Sequence, residues 1–374
     1  MKIIAPFDTV NEVRLLIEAG ADELYCGINS RDWRKRKMFP NYRHMFYGSL
    51  HGFRELEQAL KITQGYKVPI YLCINEYLPQ GGFELLCADI SRAIDIGIAG
   101  FIIADTTLIP YIRHKSNNCR ISLSCLNACF NSLALEYVKD LGVDRVILPL
   151  SQLTLAEIKE ISQDARGLGL EVEVFINNTA CKNVNANCLY HKFGSDEFIK
   201  SYYRSRWNFI LFWLRQISKL IPPFLKSKFG QILWASNMPA IFNLSRFCKA
   251  KGTLEVLKRV NGEYQKEKTV NDASVERDFV RQYCTLCSIY FFNRFDIYIG
   301  KIGGRSSLAR RKVNDVLFAR RYLNGIKNGL IDKNNFVLRG ESIYKKVYGE
   351  DCQKKECHHI EVRRRRCREK QLAA

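Results

Sequence analysis

Acidic residues are scarce in this 374-residue chain, where 58 Lys and Arg stand against 38 Asp and Glu and leave a formal charge of +20. That imbalance favours partners bearing phosphate or carboxylate, whether RNA, anionic lipid or a small anion; a plain basic, solvated surface is the alternative. Long apolar runs are missing too. No stretch reaches the roughly 18 uninterrupted apolar residues that argue for a membrane-spanning helix, so no transmembrane segment is expected. Met1-Lys2-Ile3-Ile4-Ala5-Pro6 is too short an apolar run for a secretory signal and leads directly into a strand–helix pattern. The expected setting is therefore cytoplasmic, where disulfides are disfavoured. An HExxH metalloprotease motif is absent, and the 6 histidines form no evident Ser–His–Asp or Cys–His arrangement. Cysteine, by contrast, is abundant: 14 residues to be read as buried apolar side chains, metal ligands or reactive thiols.

The first 180 residues alternate short apolar strands with amphipathic helices that end near glycine. Seven strands are expected there, from Lys2–Pro6 to Glu171–Asn177, and DIYIGKIG at 296–303 supplies an eighth. The joints EAGADELY, DIGIAGFII and DLGVDRVIL resemble one another, as repeated units doing the same packing job should. Eight such units predict an α/β fold, a (β/α)8 barrel of the TIM type, with an open doubly wound sheet as the competing arrangement. The chain then divides into strands one to seven (1–180), a cysteine loop with a helical insertion or lid (181–280), helix seven to helix eight (281–335), and a cysteine-containing extension with a basic tail (336–374). Within the long insertion between strand seven and helix seven, Phe209–Phe242 is apolar with interspersed Lys and Arg and is broken by Pro222-Pro223. It reads as a helical lid over the barrel mouth or as a segment making peripheral membrane contact. The run of Arg363, Arg364, Arg365, Arg366 and Arg368 reads as a disordered tail.

Cys181 and Cys188 follow strand seven, in the loops that form the functional face of a parallel barrel. Cys284 and Cys287 stand as CTLC at the expected start of helix seven, on the same face. Four thiols remote in sequence are thus predicted to meet, and tetrathiolate sites suit zinc or an iron–sulfur cluster. One pair is separated by six residues and the other by two, which fits a larger cluster better than a zinc ribbon. A helix start beside Cys284 would favour its thiolate. Cys352 and Cys357, in YGEDCQKKECHH, could complete that site, bind a second metal or lie on the surface; His358 and His359 are read as solvated.

At these residues the sequence resembles peptidase family U32, the collagenase-like peptidases. The matching elements are Glu173-Val174-Phe175 through Cys181 and Cys188, then Cys284 ahead of Lys301-Ile302-Gly303-Gly304-Arg305, with ADELYCG, ADTTLI and LGVDRVILPLSQLTLAEI earlier. Cys284/Cys287 and Cys352/Cys357 resemble a subgroup with CxxC before helix seven and a C-terminal YGxxCxxxxC. The resemblance covers about residues 1–190 and 278–360 and not the insertion. It implies a four-iron, four-sulfur cluster and oxygen-independent hydroxylation of an RNA base, a quinone or another small aromatic. A partner protein of the same family, peptidase activity, or a non-catalytic cluster-binding subunit are the alternatives it carries. Cys181, Cys188 and Cys284 carry over; the third cysteine of the commoner pattern is missing, which leaves the fourth ligand open.

Other residues at the expected mouth complete the reading. Lys301 and Arg305 flank Gly303-Gly304 as an anion cradle or a solvated turn. Asp105 ends strand four as a base, a positioning group or a helix cap. Asn127 and Asn131 follow strand five, Asn131 as a cap. After strand two, Arg31, Arg34, Lys35, Arg36, Lys37 and Arg43 interleave with Trp33, Phe39, Tyr42 and Phe46, a mixture suited to RNA or to a packed loop.

Overall fold

Each apolar run read as a strand forms one, in a computed structural model that describes residues 1–36, 38, 40–41, 48–127, 129, 131–149, 153–177, 254–260, 263–270, 283–352 and 356–373. In chain order these are β1 (Lys2–Pro6), α1 (Asn11–Glu18), β2 (Glu23–Cys26), α2 (Arg31–Arg36), α3 (Phe53–Tyr66), β3 (Ile70–Ile74), α4 (Phe83–Asp95), β4 (Gly100–Ile103), α5 (Leu108–Lys115), β5 (Arg120–Leu123), α6 (Ser132–Asp140), β6 (Arg145–Ile147), α7 (Leu155–Gly167) and β7 (Glu171–Asn177). Then follow β8 (Leu254–Val260), β9 (Glu263–Val270), β10 (Tyr283–Cys284), α8 (Ile289–Arg294), β11 (Ile299–Ile302), α9 (Ala309–Lys327), α10 (Phe336–Tyr348), β12 (Glu356–Cys357) and α11 (Ile360–Ala373).

Eight parallel strands close a barrel in the order β1-β11-β7-β6-β5-β4-β3-β2. Closure rests on β1, which pairs with β2 on one side and with β11 on the other, so the open sheet is excluded. Alternation along each strand separates two cores. Ile3, Leu24, Leu72, Phe101 and Val146 pack outward under the helices. Ile4, Tyr25, Tyr71, Cys73, Ile102 and Ile299 fill the interior. The repeated joints earn their similarity: Gly20, Gly97 and Gly142 each leave a helix at positive φ (105°, 91° and 91°), where other residues are strained. Helix α7 begins with a capping box in which Thr154 and Glu157 satisfy each other's backbone amides, and Asn131 caps α6 as expected.

Two expectations change. The described part of the insertion is an antiparallel hairpin, β8 on β9, running from the pair Leu254↔Val270 to Val260↔Glu263. Its sequence signal is the Asn261-Gly262 pair between two strand-like runs, the dipeptide favoured by two-residue hairpin turns. Phe209–Phe242 lies outside the described residues. The arginine run, expected to be disordered, lies in helix α11. There Arg363 Nε donates to the Cys357 carbonyl at 2.7 Å, and Arg366 Nε to Glu341 Oε1 at 2.7 Å. By internal packing the chain forms two units, 1–180 with 281–374, and 181–280. No helix among the described residues is long and apolar enough to cross a membrane.

Candidate active site at the barrel mouth and a four-cysteine pocket

A chain of charges runs through the barrel interior. Arg145, 1% exposed, enters from the first position of β6 and donates to Glu23 at 2.9 Å and 3.3 Å, to Glu171 at 3.0 Å and to Glu173 at 3.3 Å. The other oxygen of Glu173 takes the ammonium of Lys301 at 2.5 Å. Burial of four charged groups, with Glu171 half-buried beside them, is tolerable only because each has a partner. Burial alone would lower the Lys301 pKa, but the Glu173 carboxylate reverses this and raises it, so the side chain stays a cation. Its Nζ sits 4.1 Å over the Tyr25 ring, while the Tyr25 hydroxyl donates to the Ile302 carbonyl at 2.9 Å.

Lys301 and Arg305, expected to share an anion, are engaged by different partners. Arg305, 2% exposed, donates to Asn41 Oδ1 at 3.1 Å. Asn41 is itself fixed by Ser49, Asn29 and the Ile28 carbonyl. The guanidinium lies so close to Gly27 that a Cβ there would stand 2.2 Å from Nη1, which explains the glycine of ADELYCG. Asp105 closes a side-chain turn ahead of α5, accepting from the Thr107 amide at 3.0 Å and hydroxyl at 2.7 Å. Around it, Tyr77 Oη and Asn127 Nδ2 both donate to the Ala104 carbonyl, at 3.1 Å and 3.0 Å, tying together the loops after β3, β4 and β5.

The titrating group of this rim is Glu76, which the sequence reading passed over. Burial pushes its carboxyl up to about 7 against the opposing Tyr77 backbone amide. It follows β3 much as Asp105 follows β4, so the rule that selected Asp105 would also have selected it. Trp33 is fully buried, with Nε1 donating to Asp89 at 2.7 Å, and so offers no surface for stacking a base. Lys37, Phe39, Tyr42, Arg43 and Phe46 lie outside the described residues.

The cysteines divide in the same way. Cys181 and Cys188 lie outside the described residues, so their expected meeting with Cys284 and Cys287 is not described. Cys284 and Cys287 do gather with Cys352 and Cys357, the pair given less weight in the sequence. All four are thiols lining one small pocket with Leu286 and Tyr344. The parallel pairing of β10 with β12 sets Cys284 directly opposite Cys357, and the His358 amide donates to the Cys284 carbonyl at 2.9 Å. Burial raises the Cys287 thiol well above its ordinary range, reinforced by Cys284, Cys357 and Cys352 beside it. As the side chains stand, no group of three or more His, Cys, Asp or Glu among the described residues is arranged to hold a metal ion. His359, expected to be solvated, is buried, and its Nδ1 shares a 2.8 Å hydrogen bond with Ser288 Oγ.

Residues 8–201 match Peptidase family U32. Over 188 residues the chain is 23% identical to tRNA hydroxylation protein P1 of Bacillus subtilis, covering 50% of this chain and 41% of that protein. TRNA hydroxylation protein P of Escherichia coli is 23% identical over 188 residues, covering 50% of this chain and 38% of that one. An uncharacterized protease of Methanocaldococcus jannaschii is 22% identical over 190 residues, covering 50% and 43%. The chain thus spans less than half the length of these relatives. A solved structure of a U32 peptidase aligns with a TM-score of 0.40 at 10% identity, over 52% of this chain and 79% of that one.

Proposed function

This chain belongs to peptidase family U32, and from that premise we propose that it is a modifying enzyme that hydroxylates an aromatic ring, with an RNA base as the favoured substrate. The observation that carries the reading is a carboxyl after β3, Glu76, that burial pushes up to about 7, in a barrel whose interior holds a fixed cation, Lys301. Glu76, at about 7, can give or take a proton at a ring nitrogen or a hydroxyl near neutral pH with little penalty in either direction. Lys301, held by Glu173, offers positive charge at the end of β11 for negative charge developing on the ring. Tyr77 and Asn127 position the loops around the substrate. The names of the bacterial relatives support RNA, as does the charge of +20, which suits a polyanion.

The resemblance implies an iron–sulfur cluster, and the donor chemistry fits: four thiols surround one cavity in this unit, and Cys181 and Cys188 remain further ligand candidates. Such a cluster, when bound, supplies electron transfer or a Lewis-acidic iron. A peptidase reading finds less support. The described Ser–His pair, Ser288 with His359, is 1% and 4% exposed, closed to a peptide, and His359 Nε2 has no hydrogen-bond partner to complete a triad.

The test is mass spectrometry of ribonucleosides from cells with and without the gene, grown without oxygen. A base heavier by one oxygen atom should vanish on deletion and return with the wild-type chain. Glu76→Gln should restore it poorly. An unchanged nucleoside profile would overturn RNA as substrate.

A further inference from the structure

The C-terminal extension builds a site of its own beside the barrel. In a parallel pair, residues at matched positions project from the same face, so the register Cys284↔Cys357 sets two thiols side by side. Cys287 follows one turn later at the entry to α8. Cys352 arrives from the turn after α10, which ends at Gly349 with φ of 75°. Two features of the surroundings exceed what four neighbouring cysteines need for packing. The first is Gly340, on α10, where a Cβ would stand 2.6 Å from Cys287 Sγ and close the space beside it. The second is Arg366, on α11, whose Nη2 donates to Cys352 Sγ at 3.4 Å while Nε is anchored on Glu341 at 2.7 Å.

An arginine held against sulfur has an electrostatic logic. Four thiolates around a divalent ion or an iron–sulfur core leave a net negative charge, which a nearby guanidinium offsets. Glu341 accepts from Arg366 at 2.7 Å and from the Cys352 thiol at 3.8 Å, so the guanidinium is shared by a carboxylate and a sulfur. Leu286, Phe318 and Tyr344 give the sulfurs a largely apolar surround.

We propose that Cys284, Cys287, Cys352 and Cys357 form a tetrathiolate centre for a thiophilic metal, with Arg366 as its charge-balancing neighbour, and that this centre is complete without Cys181 and Cys188. The two metal forms that such ligands accept, a zinc ion and a four-iron cluster, share this thiolate chemistry. The assignment deepens the cofactor part of the proposed function but does not depend on hydroxylation, since a centre here can hold α10 and α11 against the barrel whatever the substrate.

The experiment uses the full chain isolated without oxygen, with iron, zinc and acid-labile sulfide measured per chain. Wild type should carry about one zinc, or about four irons with broad visible absorbance. The double variant Cys352→Ser/Cys357→Ser should lose that metal, and Cys181→Ser/Cys188→Ser should retain it. Because the first variant could fail to fold, the wild-type protein gives a second readout through thiol alkylation mapped by mass spectrometry. Exposed Cys367 should react at once, whereas Cys284, Cys287, Cys352 and Cys357 should react only as the metal is stripped by a chelator. Metal content unchanged in a folded Cys352→Ser/Cys357→Ser protein would overturn the assignment. So would stripping that unmasks Cys181 and Cys188 but leaves these four unchanged, or a wild-type chain free of metal after growth with both metals. Loss of RNA modification in a chain that keeps its metal bears on the proposed function alone.

Discussion

The barrel interior and the four-cysteine pocket bury reactive side chains by different means. Inside the barrel, Arg145 and Lys301 are answered by Glu23, Glu171 and Glu173 at hydrogen-bond distance, so the chain neutralises itself. In the pocket, Cys284, Cys287, Cys352 and Cys357 line one space with Arg366 at its edge. The difference is one of partner chemistry: carboxylates meet cations in one region, and sulfurs gather beside an arginine–glutamate pair in the other. Strand register sets both: β6 against β7 aligns Arg145 with Glu171, and β10 against β12 aligns Cys284 with Cys357.

The comparison breaks most visibly at Arg145. Arg145→Met removes the partner of Glu23, whose next nearest cation is Lys2 at 3.9 Å, while Glu171 keeps Arg120 and Glu173 keeps Lys301. One stranded buried carboxylate should cost about 3–5 kcal/mol in urea denaturation. A loss under about 1 kcal/mol would mean that the interior charges are more solvated than their burial indicates.

At the mouth, Glu76→Gln should act through pH. The folded carboxyl lies near 7, raised from 4.5, so the folded state holds its proton more tightly than the unfolded chain. Stability is therefore full below about 4.5 and declines as pH rises through about 7, by about 3 kcal/mol. The glutamine variant should lack that decline and be the more stable protein at pH 8. Parallel pH profiles for the two proteins would remove Glu76 from the role of proton carrier.

The smallest effect sharpens the pocket side. Gly340→Ala gains about 1 kcal/mol of helix propensity but forces a methyl group against Cys287, an overpacking that costs about 1–3 kcal/mol. The net should be a loss of about 1 kcal/mol, with reduced metal content if the cavity serves a metal. A gain in stability at full metal content would show that Cys287 has room to move.

Much of this was legible in one dimension. The alternation of apolar strands with amphipathic helices predicted the barrel, because parallel strands covered on both faces must read that way. Asp105 follows a strand as read, but its hydrogen bonds to the Thr107 amide and hydroxyl were visible only in the fold. Trp33 looked like a stacking residue amid basic neighbours, and burial against Asp89 decided otherwise. Arg366 looked like one charge in a solvated tail until α11 laid it beside Cys352.

The sequence by itself determined the layers, the number of barrel strands and the supply of cysteines, since periodicity and composition are properties of the chain read along its length. Which thiols share a cavity was decided only by tertiary structure. Cys357 lies 73 residues beyond Cys284, and only the pairing of two short strands, fixed by helices α10 and α11 packing beside the barrel, brings them face to face. Short-range pattern carries no record of such a meeting, because its energy comes from surfaces that exist only once the chain has folded.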